Sequence, residues 1–184
     1  MGLLKVIRKT KLKDKEIRIL ILGLDNAGKT TILKSINNED ITQIEPTVGF
    51  NIKSVKYNEY ILNFWDVGGQ ESIRLFWRNY FENTDALIWV IDSVDTSRLN
   101  TSKQEIMKIL KNDNMYKSTV LIFANKQDIK GSLTTKEINQ MLELDKVIND
   151  RSYMIFGTSA VQGNGILTGL EWLINDINTN KLIH

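Results

Sequence analysis

Short apolar runs alternate with longer amphipathic stretches along this chain. The runs 17–22, 86–91 and 120–124 are almost wholly aliphatic or aromatic and are bounded by polar residues. Unbroken runs of that length predict strands buried on both faces. Between them apolar residues recur at helical spacing. Ile106, Ile109 and Leu110 form the core face of a predicted helix over 98–111. Ile166, Leu167, Leu170, Leu173, Ile174 and Ile177 do the same for 166–177. A further helix over 134–142 has Thr134 as a plausible cap. The segment 71–81 predicts one more, and 153–156 a last strand. Residues 50–57 and 60–67 predict two strands joined by a tight turn at Asn58-Glu59, which makes an antiparallel hairpin. Strands alternating with helices predict an α/β fold with a largely parallel sheet covered on both faces. No repeat or linker divides the 184 residues, so one domain is expected.

The first residues stand apart. Leu3, Leu4 and Ile7 lie at helical spacing with Lys and Arg on other faces, which predicts an N-terminal amphipathic helix. It would pack on the body or lie on a membrane surface, and a frayed charged tail is the plainer alternative. Residues 1–15 are thus expected to be helix and linker, and 16–184 the globular body. Seven Lys and Arg against Asp14 and Glu16 give residues 1–18 a charge of +5, so with +2 overall the remainder carries −3. A mildly acidic body argues against a nucleic-acid surface. Gly2 raises the question of acylation, but Val6 stands where that motif wants Ser or Thr. At most a weak peripheral membrane contact is expected.

Composition removes several chemistries. The chain has no cysteine, so no disulfide, thiolate metal site or cysteine nucleophile can form. Its single histidine, His184, is the last residue, which excludes histidine general-base chemistry inside the fold. No apolar run reaches the ~18 residues of a membrane span, and no secretory signal is evident. A cytoplasmic location is expected.

Against this background one stretch is specific. Gly23-Leu24-Asp25-Asn26-Ala27-Gly28-Lys29-Thr30, followed by Thr31, comes directly after the first strand and opens a helix. It fits the phosphate-cradling pattern G-x-x-x-x-G-K-[ST]. Gly23 and Gly28 accept backbone angles that a side chain would forbid. The loop can then turn its N–H groups toward phosphate oxygens at the positive end of the helix. Lys29 is expected to reach the β- and γ-phosphates and Thr30 to bind Mg²⁺. An ordinary glycine turn would not need Lys29 or Thr30.

Asn125-Lys126-Gln127-Asp128 follows a buried strand and so lies on the same side of the sheet. Asp128 can accept hydrogen bonds from N1–H and the 2-amino group of guanine, which adenine lacks. Asn125 can hold the loop and the base, and the Lys126 stem can cover the ring. Ser159 and Ala160, after the last strand, can offer a backbone N–H to the guanine O6. Thr47 and Asp66 are expected to sense the γ-phosphate and Mg²⁺, Asp66 acting through water. Gly69 lets its N–H approach the γ-phosphate, and Gln70 would orient the attacking water. The catalytic set is therefore Gln70, Lys29 and Gly69. Val67-Gly68-Gly69-Gln70 itself reads as a flexible loop.

The chain resembles a small GTPase of the ADP-ribosylation-factor family, from Met1 to about Ile177. The marks are residues 23–31 above, Pro-Thr-Val-Gly-Phe at 46–50, Trp-Asp-Val-Gly-Gly-Gln at 65–70, Trp-Arg-Asn-Tyr at 77–80 and Asn-Lys-Gln-Asp at 125–128. The resemblance implies a six-stranded sheet whose antiparallel member follows Thr47. It implies GTP/GDP and Mg²⁺ as ligands, switch segments around 40–50 and 66–81, and a movable hairpin between them. Phe50, Trp65 and Tyr80 match the triad through which this group meets effectors, unless they are ordinary core aromatics. Within the family the likeness is to members that act as soluble proteins. It implies a prenyl-binding lipid-carrier protein and a tubulin-folding cofactor as partners, beside activating and exchange proteins. A coat-recruiting factor, a nucleotide-locked scaffold and an ATP-using P-loop enzyme are the alternatives.

Overall fold

The structure is a computed structural model, and it describes residues 15–146, 148 and 151–181. The N-terminal amphipathic helix expected at 2–10 lies outside the described residues. Six strands form one sheet: β1 (Glu16–Leu22), β2 (Phe50–Tyr57), β3 (Tyr60–Val67), β4 (Ala86–Asp92), β5 (Thr119–Asn125) and β6 (Tyr153–Gly157). The longer helices are α1 (Lys29–Ile36), α3 (Leu99–Leu110), α4 (Thr135–Leu142) and α5 (Ile166–Lys181), with a single turn, α2, at Glu71–Arg74.

The strand order is β2-β3-β1-β4-β5-β6. Only β2 runs antiparallel, pairing with β3 from Phe50 opposite Val67 to Tyr57 opposite Tyr60. The other pairs are parallel. This is the sheet the sequence predicts, with β2 as the antiparallel edge. From β1 the chain builds outward first to one side and then to the other. Its carboxyl end is the point where the order reverses, the place where such sheets bind ligands.

Alternation along β1 divides the core in two. Ile17, Ile19 and Ile21 face one layer with Phe64, Ile88, Phe123 and the apolar side of α5. Leu20 and Leu22 face the other with Trp77, Trp89 and the apolar sides of α3 and α4. Successive side chains of a strand point to opposite faces, so a strand in the middle of the sheet must be apolar throughout. All seven residues of β5 are buried. Thr134 caps α4 through a reciprocal box with Glu137, as its position suggested.

Two expectations need correction. The segment 71–81 is not one helix: α2 ends at Arg74 and a 3₁₀ turn covers Trp77–Tyr80. The buried Trp77 ring donates from Nε1 to the Gly68 carbonyl at 2.9 Å, and Phe76 N bonds to Ile73 O at 2.9 Å in the tighter i→i+3 pattern. Long-range anchoring of Trp77 overrides the local helical period. Leu167 also leaves the core stripe of α5 and is 55% exposed. It follows Ile166 by one residue, about 100° around the helix, and so falls beside the stripe formed by 166, 170, 173, 174 and 177.

Gly169 shows how tightly α5 meets the sheet. A Cβ there would lie 2.4 Å from Cε1 of Phe123, a ring that is fully buried. Helix propensity favours alanine over glycine by about 1 kcal/mol. Overpacking a core costs about 1–3 kcal/mol. Gly169→Ala is therefore expected to destabilise by about 0–2 kcal/mol in chemical denaturation at fixed nucleotide concentration. A stabilised variant would show that the ring can move aside.

Candidate nucleotide and metal site

The site is built at the carboxyl end of β1. The loop into α1 turns through positive φ at Gly23 (150°), Asn26 (63°) and Gly28 (98°). A Cβ on Gly23 would sit 2.3 Å from the Val90 carbonyl oxygen, and one on Gly28 would sit 2.2 Å from Nδ2 of Asn125. Both positions are bare because backbone and side chain close over them. Leu24 and Ala27 are buried, whereas Asn26 is exposed. Thr31 occupies the third position of α1, behind Lys29 and Thr30.

Lys29 is buried, and its ammonium donates to the carbonyls of Gly23 at 3.0 Å and Leu24 at 2.9 Å. Burial pushes its pKa down to about 8, opposed by the charges of Asp66 and Asp25. A buried cation bonded to loop carbonyls is the partner a phosphate anion would satisfy. The α1 N-terminus has no capping side chain and no acidic residue in its first turn, so nothing competes with an anion for its free amides.

Three oxygen-bearing side chains converge beside it. Thr30 Oγ1 donates to Asp66 Oδ2 at 2.7 Å and lies 2.8 Å from Thr47 Oγ1. Thr47 Oγ1 is 3.4 Å from the same carboxylate oxygen. The other oxygen, Asp66 Oδ1, is buried and has no hydrogen-bond partner among the described residues. Burial raises the Asp66 pKa, although the hydroxyls and Lys29 favour its charged form. Two hydroxyls and one carboxylate suit Mg²⁺, which takes oxygen ligands and completes its shell with phosphate and water. No group of three or more His, Cys, Asp or Glu placed to hold a metal ion occurs among the described residues.

The segment after β3 does not splay away as a loose loop. A Cβ on Gly69 would meet the Asp25 amide nitrogen and the Gly23 carbonyl oxygen, both at 2.4 Å. Gly68 N bonds to Gly49 O at 2.9 Å. Gln70 Oε1 is buried without a partner, and it is close enough that a Cβ on Gly68 would lie 2.8 Å away. Gly69 therefore lies against the backbone of Gly23 to Asp25, and the Gln70 side chain turns back toward Gly68.

Asn125 ties three loops together. Its Nδ2 donates to Ala27 O at 2.9 Å, and its Oδ1 accepts from Ala160 N at 3.0 Å and from Thr158 Oγ1 at 3.3 Å. Asp128 accepts from Ser159 Oγ at 2.6 Å, so the two predicted base-binding segments meet. Lys126 has φ +69° and pairs with Asp92 at 2.6 Å. Asp92 escaped the sequence reading, which ended that strand at Ile91. Its place at the carboxyl edge, next to Asn125 in register, was the available signal.

The sequence model of the ADP-ribosylation factor family matches residues 3–177. The chain belongs to that family. This small GTPase is 54% identical to ADP-ribosylation factor-like protein 2 of Arabidopsis thaliana over 96% of each chain. It is 50% identical to the Drosophila melanogaster protein of that name, again over 96% of each. The Chlamydomonas reinhardtii ADP-ribosylation factor-like protein 3 shares 52% identity over 96% of this chain and 99% of its own. Among solved structures, the Arl6 BBS3 small GTPase of Trypanosoma brucei, bound to the nucleotide analogue GppNp, superposes with a TM-score of 0.83. It is 32% identical over 89% of this chain and 98% of that one.

Phe50, Trp65 and Tyr80 come together in one aromatic cluster. The ring centroids of Phe50 and Trp65 are 5.8 Å apart, Phe50 and Tyr80 5.4 Å, and Trp65 and Tyr80 6.2 Å. Phe50 is half exposed, while Trp65 and Tyr80 rest partly on the core. The Arg18 guanidinium stacks 3.9 Å over Trp65 and donates to the Tyr80 carbonyl at 3.1 Å, holding the group from beneath.

Asn125 carries the structural weight of the base-side loops. Asn125→Ala leaves a buried amide and a buried carbonyl unpaired. It is expected to cost about 2–4 kcal/mol in chemical denaturation without nucleotide, beyond any loss of ligand stabilisation. A change below about 0.5 kcal/mol would mean the loops hold together without it.

Proposed function

We propose that this GTPase is a GTP-operated binding switch that hydrolyses GTP slowly on its own and recruits effectors in the GTP state. The observation that carries the reading is the convergence of Thr30, Thr47 and Asp66, with one carboxylate oxygen left unpartnered. Thr47 comes from the long segment between α1 and β2, so a bound third phosphate and its metal would fix that segment in place. Gly69 N–H faces the same phosphate from the segment after β3. Loss of the phosphate removes both contacts and frees both segments.

In this reading Lys29 and the loop amides bind the β- and γ-phosphates, and Thr30, Thr47 and water-linked Asp66 hold Mg²⁺. When bound, Mg²⁺ would supply neutralisation of the phosphate charge. Gln70 orients water for attack on the γ-phosphorus. The P–O bond to GDP breaks as the bond to water oxygen forms, and GDP and phosphate leave. Gln43, Ile44 and Glu45 stand before Thr47, so no arginine there assists the reaction. Turnover is then in the range of about 10⁻⁴–10⁻³ s⁻¹, and an activating protein supplying a guanidinium adds roughly 10³–10⁵. Asp128 selects guanine, because a carboxylate facing adenine would lack donors.

Exposed apolar side chains support the effector reading. Val48 (87% exposed), Leu75 (75%) and Phe76 (57%) lie on the two proposed switch segments, and Phe50 and Ile52 of β2 are exposed as well. A patch of this kind marks a protein interface. The sequence likeness favours a prenyl-binding lipid carrier, whose cargo the GTP form releases, and a tubulin-folding cofactor as partners. A cytoplasmic site of action follows from those partners. Among the described residues no helix is long and apolar enough to cross a membrane.

Single-turnover hydrolysis and paired pull-downs test this. Hydrolysis of preloaded GTP is expected within the slow range above, with Gln70→Leu at least about tenfold slower. Capture of the lipid carrier is expected only with a GTP analogue and is lost in Phe50→Ala. Turnover on the scale of seconds without partners, or equal capture with GDP, would sink the proposal.

A further inference from the structure

Asp25 sits inside the phosphate loop, a carboxylate where anionic phosphates are to bind. The structure explains why it is tolerated. Its Oδ1 accepts from Arg98 Nη1 at 3.0 Å and Arg74 Nη2 at 3.3 Å. Arg98 also donates from Nη2 to the Asp25 carbonyl at 3.1 Å and from Nε to Asp95 at 2.6 Å. Two acids and two guanidiniums form one cluster with no net charge.

Arg74 makes the cluster more than a neutralised acid. Its Nε donates to the Gly69 carbonyl at 2.8 Å while Nη2 reaches Asp25. Its side chain is only 12% exposed. Two donors of one planar group, Nε and Nη2, therefore link the Gly69 carbonyl to the phosphate loop. The line of contacts runs from Asp95 and Arg98, at the entry to α3, through Asp25 and Arg74 to the peptide that joins Gly69 to Gln70.

We propose that Arg74 and Asp25 are a positioning pair for GTP hydrolysis, braced by Arg98, that sets Gly69 N–H and Gln70 against the third phosphate. The inference rests on the reading of Gly69 and Gln70 given above. Arg74 acts here as a tether and not as a finger on the γ-phosphate, because its Nε and Nη2 are turned to Gly69 and Asp25. Orientation of a reacting group is worth orders of magnitude, so loosening the fork slows chemistry without touching the nucleotide. Lysine cannot replace it, since one ammonium has no rigid pair of donors set at two angles.

The test uses the full chain preloaded with GTP and Mg²⁺, in single turnover, beside GDP dissociation rates and thermal midpoints. Arg74→Gln and Arg74→Lys are both expected to hydrolyse about tenfold or more slowly. GDP dissociation should stay within about twofold, because GDP lacks the phosphate that Gly69 faces. Asp25→Asn should slow hydrolysis too, and the double variant Asp25→Asn with Arg74→Gln should be no slower than Arg74→Gln alone, as expected of one unit. Arg98→Gln should give a smaller fall in the same direction.

Wild-type hydrolysis in Arg74→Gln, with Gln70→Leu inactive, would overturn the pair and leave the switch reading standing. Faster hydrolysis in Asp25→Asn would also overturn it, since Asp25 would then be restraining an arginine finger. A parallel loss of GDP retention and thermal midpoint would reduce Arg74 to a packing residue. Wild-type hydrolysis in Gln70→Leu would remove the reading underneath and the pair with it.

Discussion

Bare backbone at the carboxyl end of β1 is the constraint on which the rest of the structure depends. Gly23 lies under the Val90 carbonyl, Gly28 under the Asn125 amide, and Gly69 against the amide of Asp25. At each place a Cβ would come within 2.4 Å of another atom. Closing those gaps brings three separate chain segments within hydrogen-bond reach of one another. The sheet makes this possible because its order reverses at β1 and leaves a crevice there. Phosphate recognition follows from the closeness: amides and a buried ammonium converge where no side chain intrudes.

Much of this was legible in the sequence. Buried strands announce themselves by unbroken apolar runs, and β4, β5 and the β2–β3 hairpin lie within a residue or two of where the pattern puts them. The phosphate loop and the base-binding tetrapeptide are contiguous, so short motifs suffice to find them. What the pattern missed is long-range. Trp77 pins the chain to the Gly68 carbonyl and splits a predicted helix. Asp92 meets Lys126 only because β4 and β5 are neighbours in register. Asp25 finds Arg74 and Arg98 from positions 49 and 73 residues away. Helical or strand periodicity carries no information about such partners, and the effect of Asp25 could not be read from its own segment.

The division between fixed and mobile parts also has a physical basis. The sheet centre and α1 are buried and tied by Asn125, which serves the loop, the base side and the last strand at once. The segments that flank Thr47 and follow Gly69 bury less: they are tied by backbone and side-chain hydrogen bonds at Gly68 and Gly69 and not by a packed apolar face. Residues 42–46 are exposed, and α2 has no buried residue. Elements with little buried apolar area open at low free-energy cost, which is what a switch requires. Their exposed Val48, Leu75 and Phe76 carry a hydration penalty in the free protein that a partner would remove.

Whether so small a ligand change can drive such a switch is a matter of magnitudes. Moving a two-state equilibrium from 1:99 to 99:1 requires about 5.5 kcal/mol of differential binding. Each hydrogen bond to a charged group contributes about 1.5–3 kcal/mol. In the proposed GTP state the third phosphate gains the Gly69 amide, part of the Lys29 ammonium and, through the metal, the Thr47 hydroxyl. Two or three such contacts reach the required value, and a single one does not. A switch built on Thr47 alone would leave a large fraction of molecules in the wrong state. Convergence of both segments on one phosphate is therefore a thermodynamic requirement. It gives the brace through Arg74 a second consequence: by holding Gly69 close before the phosphate arrives, it lowers the ordering cost of that contact and shifts the balance toward the bound state.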